Sequence, residues 1–268
     1  MKNTFLALCS ITVLLYACKD EDVINNPEST STQATQDHLL AEQTFSDIGI
    51  IVEEGLLTSG VNESCPSYNL INNNTLDIDT LIINFGTTDC VYNGKLRKGN
   101  IVITYSGNYR DSLALITTTF DDYHVNNNLV QGERIVTNEG RNSDGNMWFT
   151  IAVNNARITP PQSGAINWES NSIREWINGQ NTYDISDDIY KISGTSSGNS
   201  GNGNDFTVEI TSTLEIDLGC YSSCLIKSGI AKISPSGYDN RIINYGDSLC
   251  DCNFDISING ATYPMVLN

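Results

Sequence analysis

The sequence predicts an all-β protein, an antiparallel β-meander of about eleven strands that folds as a sandwich or a rolled sheet after one N-terminal amphipathic helix. Apolar and β-branched runs follow one another from residue 76 to residue 267. Turn-forming pairs such as Asn93-Gly94 and Asn259-Gly260 separate these runs. No second helical pattern interrupts them, so parallel strands joined by helices are not expected.

Residues 1–17 have the three parts of a secretory signal peptide. Lys2 supplies the positive start, a short apolar run extends to Leu15, and a small residue precedes Cys18. The string Leu15-Tyr16-Ala17-Cys18 resembles the lipobox of bacterial lipoproteins, in which the cysteine is lipidated and the chain is cut before it. The resemblance implies that Cys18 carries acyl chains such as palmitate and anchors the protein in the outer membrane. An ordinary secretory peptide with an incidental cysteine is the alternative.

The residues after this cysteine indicate which side of the membrane the protein faces. Lys19-Asp20-Glu21-Asp22 resembles the charged tag of surface-exported lipoproteins of Bacteroidota, which predicts a location at the cell exterior; a periplasmic face is the alternative. The formal net charge is −18, and loss of Lys2 with the signal peptide makes it about −19. Such a charge repels phosphates, so no nucleic-acid partner is expected and the membrane is contacted through the lipid anchor. A glycan or a protein at the cell surface is the partner class left open.

Residues 18–36 are rich in Asn, Ser, Thr and Gln and are predicted to form a flexible tether after the lipidated cysteine. A single β-rich domain is predicted over 37–268, beginning with a helix over 37–58 for which Asp37 is a plausible N-cap. Three- and four-residue steps place the apolar stripe of this helix at Ala41, Phe45, Ile48 and Val52. The predicted strands cover 76–85, 100–106, 113–123, 129–137, 148–156, 165–177, 183–194, 206–218, 225–234, 241–245 and 254–267.

The cysteines predict a disulfide-stapled domain, because an oxidising envelope favours disulfides. Those left after Cys9 and Cys18 are Cys65, Cys90, Cys220, Cys224, Cys250 and Cys252. The string Ile82-Ile83-Asn84-Phe85-Gly86 is repeated, with one conservative change, as Ile242-Ile243-Asn244-Tyr245-Gly246. In each copy a cysteine follows four residues after the glycine, namely Cys90 and Cys250. A second cysteine precedes that cysteine by about 25 residues in each copy, namely Cys65 and Cys224. This repeat predicts the pairs Cys65–Cys90 and Cys224–Cys250, and Cys220–Cys252 follows by elimination. A four-cysteine zinc site at the last four cysteines is the alternative.

Two groups of residues are candidates for ligand binding. Trp168 and Trp176 would share a face of one strand and could form an aromatic platform for a glycan, with core packing as the alternative. Asn142, Asp144 and Asn146 carry oxygen ligands on alternate residues, which is a weak calcium pattern that a hairpin turn also explains. No cofactor is predicted beyond this Ca²⁺ candidate.

Catalytic motifs are scarce in the sequence. Gly194-Thr195-Ser196-Ser197-Gly198 matches the G-x-S-x-G pattern, but both histidines precede it and no helical pattern follows it. The segment from Leu81 to about Tyr263 resembles a family of uncharacterised β-rich lipoproteins of Bacteroidota, and the resemblance implies no activity. It rests on the strings Ile82 to Gly86, Gly94 to Gly99, Tyr109 to Asp111, Thr119 to Tyr123 and Ile166 to Ser170. The expectation is a non-catalytic binding or interaction module; a polysaccharide-acting enzyme and a purely structural envelope component are the alternatives.

Overall fold

The computed structural model describes residues 31–58, 65–71, 78–220, 224–247 and 249–266. The predicted signal peptide, Cys18 and the acidic tag lie outside the described residues. The helix α1 covers Gln33–Thr58. The strands are β1 Ser67–Ile71, β2 Asp79–Asn84, β3 Cys90–Tyr92, β4 Lys95–Tyr105, β5 Leu115–Val125, β6 Asn128–Arg141, β7 Met147–Thr159, β8 Ile166–Asn178, β9 Ile189–Asn199, β10 Asp205–Asp217, β11 Ile226–Pro235, β12 Arg241–Asp247, β13 Asn253–Ile258 and β14 Ala261–Val266.

All of these strands belong to one antiparallel sheet, and each pairs with the next strand in sequence with one exception. The strand β2 pairs with β4, and the short β3 pairs with β4 outside this order. The predicted all-β class, with one N-terminal helix, is therefore confirmed. The sheet has 14 strands rather than about eleven. Two of the extra strands are β1 and β3, and the third arises because the Asn259-Gly260 turn divides the segment 254–267 into β13 and β14.

The sheet curves around α1. Phe45 at the middle of the helix packs against Phe120 of β5 and Trp168 of β8, at ring-centroid distances of 6.0 and 5.7 Å. Near the end of the helix, Gly55 lies against Ile83 of β2, and the helix also meets β10 and β12 through its first turns. A helix that contacts strands from both halves of the meander must lie inside the curve of the sheet. Burial on nearly every side distinguishes α1 from the one-sided amphipathic helix that was predicted.

Glycines at bulges allow this curvature. The pairing of β6 with β7 shifts register between Gln131 and Glu133, and Gly132 between them has φ +113°. A Cβ atom at Gly132 would lie 2.7 Å from the Cα atom of Ala156 on the neighbouring strand. The backbones can approach this closely only because Gly132 has no side chain, and the resulting bulge bends the strand pair.

The start of the helix corrects one prediction. The helix α1 begins at Gln33 rather than at Asp37, so the last four residues of the predicted tether are helical. The Asp37 carboxylate does not act as an N-cap; it accepts hydrogen bonds of 2.8 Å from the backbone N–H of Gly201 and from the side-chain amide of Gln33. The C-terminal end of the helix at Thr58 agrees with the predicted boundary.

One of the three disulfides has the pairing that was predicted from the sequence. Cys65 pairs with Cys90 at a Cα–Cα distance of 6.5 Å, as predicted. The predicted pairs Cys224–Cys250 and Cys220–Cys252 are wrong: the structure joins Cys220 to Cys250 and Cys224 to Cys252, with Cα–Cα distances of 5.3 and 5.2 Å. These cysteines lie in the connections before β11 and before β13, where the sequence repeat does not determine which sulfurs meet. All four sulfurs of the alternative zinc site are used in these two disulfides.

The internal repeat is nevertheless present in the structure. Asn84 accepts a hydrogen bond of 2.6 Å from the backbone N–H of Gly86, and Asn244 accepts one of 3.1 Å from Gly246. Both glycines have positive φ, +81° and +93°. The same local hydrogen bond and positive φ therefore occur at the end of β2 and within β12, although the cysteines that follow the two strings do not pair in equivalent ways.

Candidate functional site

A cavity of about 90 Å³ lies between α1 and the inner face of strands β7 to β10. The helix contributes to it one stripe of side chains, namely His38, Glu42, Phe45, Ser46, Ile50 and Glu53. From His38 to Glu53 the helix rises about 22 Å, at about 1.5 Å per residue. The lining residues therefore extend along more than half of the helix.

Small residues of the sheet create the space. On the inner face, Ser170 of β8 is the register partner of Ser196 of β9, and Ser172 is the partner of Gly194. These positions face the helix, where large apolar side chains would fill the interior, so their small size leaves a void under Phe45. The string that matched G-x-S-x-G thus lies inside strand β9 and forms the floor of the cavity, not a strand-to-helix turn.

The walls of the cavity are apolar along most of its length. They are formed chiefly by Ile50, Ile151, Val153, Ile192, Val208 and Leu214. Aliphatic walls with a few polar groups at defined places are the usual composition of a small-molecule site.

Arg174 of β8 lies at one end of the cavity and is 7% exposed. Its guanidinium carbon lies 4.4 Å from the ring centroid of Tyr190, 4.9 Å from that of Phe149 and 5.3 Å from that of Tyr109. Its Nη1 atom lies 3.9 Å from a carboxylate oxygen of Glu53. Its Nε and Nη2 atoms have no hydrogen-bond partner among the described residues. One edge of a buried cation is therefore held in place by aromatic rings but left without an acceptor.

The surroundings of Glu53 are densely charged. Burial raises the pKa of Glu53, although Arg174, the Tyr190 hydroxyl and Arg134 each favour its ionised form. Burial also lowers the pKa of Arg134 to about 10, against the attraction of Glu53. Next to this group, burial and the nearby Glu53 raise the pKa of Asp188 to about 7, even though it accepts hydrogen bonds of 3.1 Å from both Tyr190 and Trp176. Two buried arginines thus lie near two buried carboxylates, Glu53 and Asp188.

His38 and Trp168 lie at the other end of the cavity, with ring centroids 6.2 Å apart. His38 is 2% exposed, and burial lowers its pKa, so the neutral ring is favoured. Neither ring nitrogen of His38 has a hydrogen-bond partner among the described residues, and its Nε2 atom lies 3.6 Å from Glu42. The indole N–H of Trp168 is likewise unpartnered within that part of the chain.

The two tryptophans singled out from the sequence do not form an exposed platform. Both face the interior of the sheet, and Trp168 is 5% and Trp176 0% exposed. The indole of Trp176 donates a hydrogen bond to Asp188 and packs 5.4 Å from the ring of Tyr190, so its role is structural. Trp168 lines the cavity and is the one of the pair that a ligand inside could touch.

The calcium candidates form the turn between β6 and β7. The side-chain oxygen of Asn142 accepts hydrogen bonds of 3.0 Å from the backbone N–H groups of Asp144 and Asn146. The side-chain amides of Asn142 and Asn146 donate to one carboxylate oxygen of Glu175, at 2.7 and 2.8 Å. These contacts fix the turn and use the Asn142 oxygen that a cation would need. Over the described ranges, no group of three His, Cys, Asp or Glu residues is arranged to hold a metal ion.

The sequence did not identify Arg174, Arg134, Glu53 or His38 as site residues. One signal was available: Arg174 interrupts an alternating inward series that runs from Trp168 to Trp176, where a charge is unexpected. A charged residue on the buried face of a strand indicates a paired charge or a ligand.

Within the described residues, no helix is long and apolar enough to cross a membrane. Comparisons with protein-family models, with curated proteins and with solved structures find no match to this chain.

Proposed function

We propose that the chain is a lipid-anchored protein of the outer membrane, facing the cell exterior, whose β-rich domain is a non-catalytic binding module. Its site is the cavity beneath α1, and its ligand is a small, elongated, mostly apolar molecule. The observation that carries the binding proposal is the set of buried donors on the cavity wall without an acceptor, namely Arg174 Nε and Nη2 and the Trp168 indole N–H.

Unpaired donors of this kind are uncommon in folded proteins. More than about 90% of buried polar groups have a hydrogen-bond partner, and each one left unpaired costs about 1–3 kcal/mol. A purely structural core would gain stability from apolar residues at these positions. Retention of several polar groups along a cavity is therefore better explained by a ligand that completes them.

The same geometry disfavours an enzyme acting on surface polysaccharide. Aliphatic and aromatic side chains contribute most of the surface that lines the cavity, whereas a glycan needs many polar partners. Ser196 and His38 line the same cavity, but no hydrogen bond joins them, so the base needed to activate a serine is not in place. Binding without turnover is the simpler function for these residues.

Filling the cavity is expected to abolish binding. Calorimetric titration of the domain with decanoate, decanol and decylamine should reveal binding of at least one of these straight-chain probes. Ser172→Leu places a larger side chain on the cavity floor and should remove that binding, while the melting temperature stays equal or rises because a void is filled. Asn171→Leu, one residue earlier on the outer face, is the matched control and should bind as the wild type does.

A failure to bind any of the three probes, or unchanged binding by Ser172→Leu, would contradict the proposed site. Ser170→Val is a smaller filling substitution at the same floor and separates loss of binding from loss of folding.

The anchor has its own test. Cys18→Ser removes the thiol that would carry the lipid, so the full-length protein should lose metabolic labelling with palmitate and move from the membrane fraction to the soluble fraction. Retention of label after Cys18→Ser would show that the lipobox assignment is wrong.

The predicted location at the cell exterior is tested with intact cells. If the wild-type domain faces the exterior, protease added to these cells should digest it.

A further inference from the structure

We infer that the ligand of this cavity is an anionic amphiphile, a straight-chain carboxylic acid whose carboxylate binds the open edge of Arg174 and whose alkyl chain lies along α1. This inference rests on the proposed function, since it names the chemistry of the molecule that the same cavity takes. Two features of the described residues carry it: which groups lack partners, and where the polar groups lie along the cavity.

The unpaired groups call for acceptors. The two unpartnered atoms of Arg174 are both N–H donors, so the missing partner must bring oxygen atoms that accept hydrogen bonds. The Nε and Nη2 atoms form one flat edge of the Arg174 guanidinium, and two parallel N–H groups on such an edge match the two oxygens of a carboxylate. Three aromatic rings hold that guanidinium in place, which reduces the entropy lost when a ligand binds.

The charged groups at this end of the cavity leave only the Arg174 edge open. Two buried guanidinium groups, Arg174 and Arg134, lie near two buried carboxylates, Glu53 and Asp188. Asp188 already accepts hydrogen bonds from Tyr190 and Trp176, whereas the Nε and Nη2 atoms of Arg174 have no acceptor among the described residues. A bound carboxylate supplies that acceptor, whereas a bound amine cannot.

The far end of the cavity fixes the orientation of the ligand. Glu42 lies 3.6 Å from His38 there, so a second anion is disfavoured beside it. Between the two ends the wall includes Ile50, Ile151 and Val153, and the cavity volume is about 90 Å³. A volume this small suits an unbranched chain better than a fused ring system. The chain should therefore run from Arg174 toward Trp168.

The test compares three probes of equal chain length on the intact domain. Decanoate is expected to bind at least about tenfold more tightly than decanol, because a carboxylate gains charge-assisted hydrogen bonds that a hydroxyl does not, and decylamine is expected to bind weakest. Arg174→Met should reduce this preference for decanoate over decanol to near one. Arg157→Met removes an exposed arginine of β7 and is the matched control, with no change in either affinity.

A second variant keeps the inference testable if Arg174→Met does not fold. Glu53→Gln removes the competing carboxylate without changing its shape, so it should increase the preference for decanoate over decanol about threefold or more. Equal binding of decanoate and decanol to the wild type, or a preference for decylamine, would overturn the inference about the carboxylate. The proposal that the cavity binds a ligand would not be contradicted by that result. Absence of binding by all three probes would instead defeat the proposed function.

Discussion

Replacing Asp47 with asparagine is expected to lower the free energy of unfolding by about 3–5 kcal/mol, since it leaves a buried cation without its partner. The Asp47 carboxylate on α1 lies 2.7 and 3.0 Å from two nitrogens of Arg97 on β4, and the two side chains are 1% and 0% exposed. Arg97 also donates to the hydroxyl of Tyr123, and Lys95 lies 3.0 Å from the same carboxylate. This cluster fixes the helix to the first half of the sheet.

Urea unfolding at pH 7 measures this change. The partly exposed pair of Lys227 and Asp217 is the matched control, and Lys227→Met should cost less than about 1 kcal/mol. Burial opposes ionisation of Asp47, but the hydrogen bonds and charge of Arg97 outweigh it and lower the Asp47 pKa below its ordinary value. The stability due to this carboxylate is thus present above about pH 4 and is lost as the pH falls below that value. An Asp47→Asn variant within 1 kcal/mol of the wild type at pH 7 would show that the cluster does not stabilise the fold.

A chain that begins at residue 59 is not expected to fold, whereas one that begins at residue 31 is. Phe45, Ile48 and Ile51 of α1 are at most 3% exposed, and burial of each contributes about 1.5–3 kcal/mol. Their sum approaches the whole stability of a typical domain, about 5–15 kcal/mol, even before the buried arginines lose their partners on the helix. Without α1 the concave face of the sheet would be open to water.

Near-ultraviolet circular dichroism and amide chemical-shift dispersion distinguish the two chains. The chain from residue 31 should show the fixed aromatic environment that the stacked rings around Phe45 produce, and the chain from residue 59 should show neither signal. Addition of a peptide covering 31–58 is expected to restore both signals in part. A folded, monomeric sheet without the helix would mean that α1 covers the sheet but is not required for it.

The strands were predictable because their pattern is local. Period-two alternation and turns such as Asn93-Gly94, which has positive φ at both residues, can be identified without knowledge of partners. The strand β1 escaped prediction because it lies at the edge of the sheet and is mostly exposed, which leaves no alternation to detect. The strand β3 is three residues long and is defined only by its pairing with β4.

The site could not be predicted because it depends on contacts between distant parts of the chain. Glu53 and Arg174 meet only after the sheet has curved around the helix, and the cavity floor needs Ser172 and Gly194 in register across two strands. In an amphipathic helix the carboxylates of α1 would be expected to face the solvent. Glu53 is nevertheless only 3% exposed, because the sheet surrounds the helix. The order of the last two disulfides was likewise decided by loop geometry that spacing does not encode.

Binding of a ligand between α1 and the sheet can be measured through intermolecular nuclear Overhauser effects between decanoate and the methyl-labelled protein. We expect contacts from the alkyl chain to Ile50, Ile151 and Val153, and none to the exposed Val91 or Leu113, which are 70% and 73% accessible. Ser172→Leu should remove the contacts to the cavity residues. Contacts confined to Val91 or Leu113 would contradict binding in this cavity and show that the chain binds amphiphiles only at its outer surface.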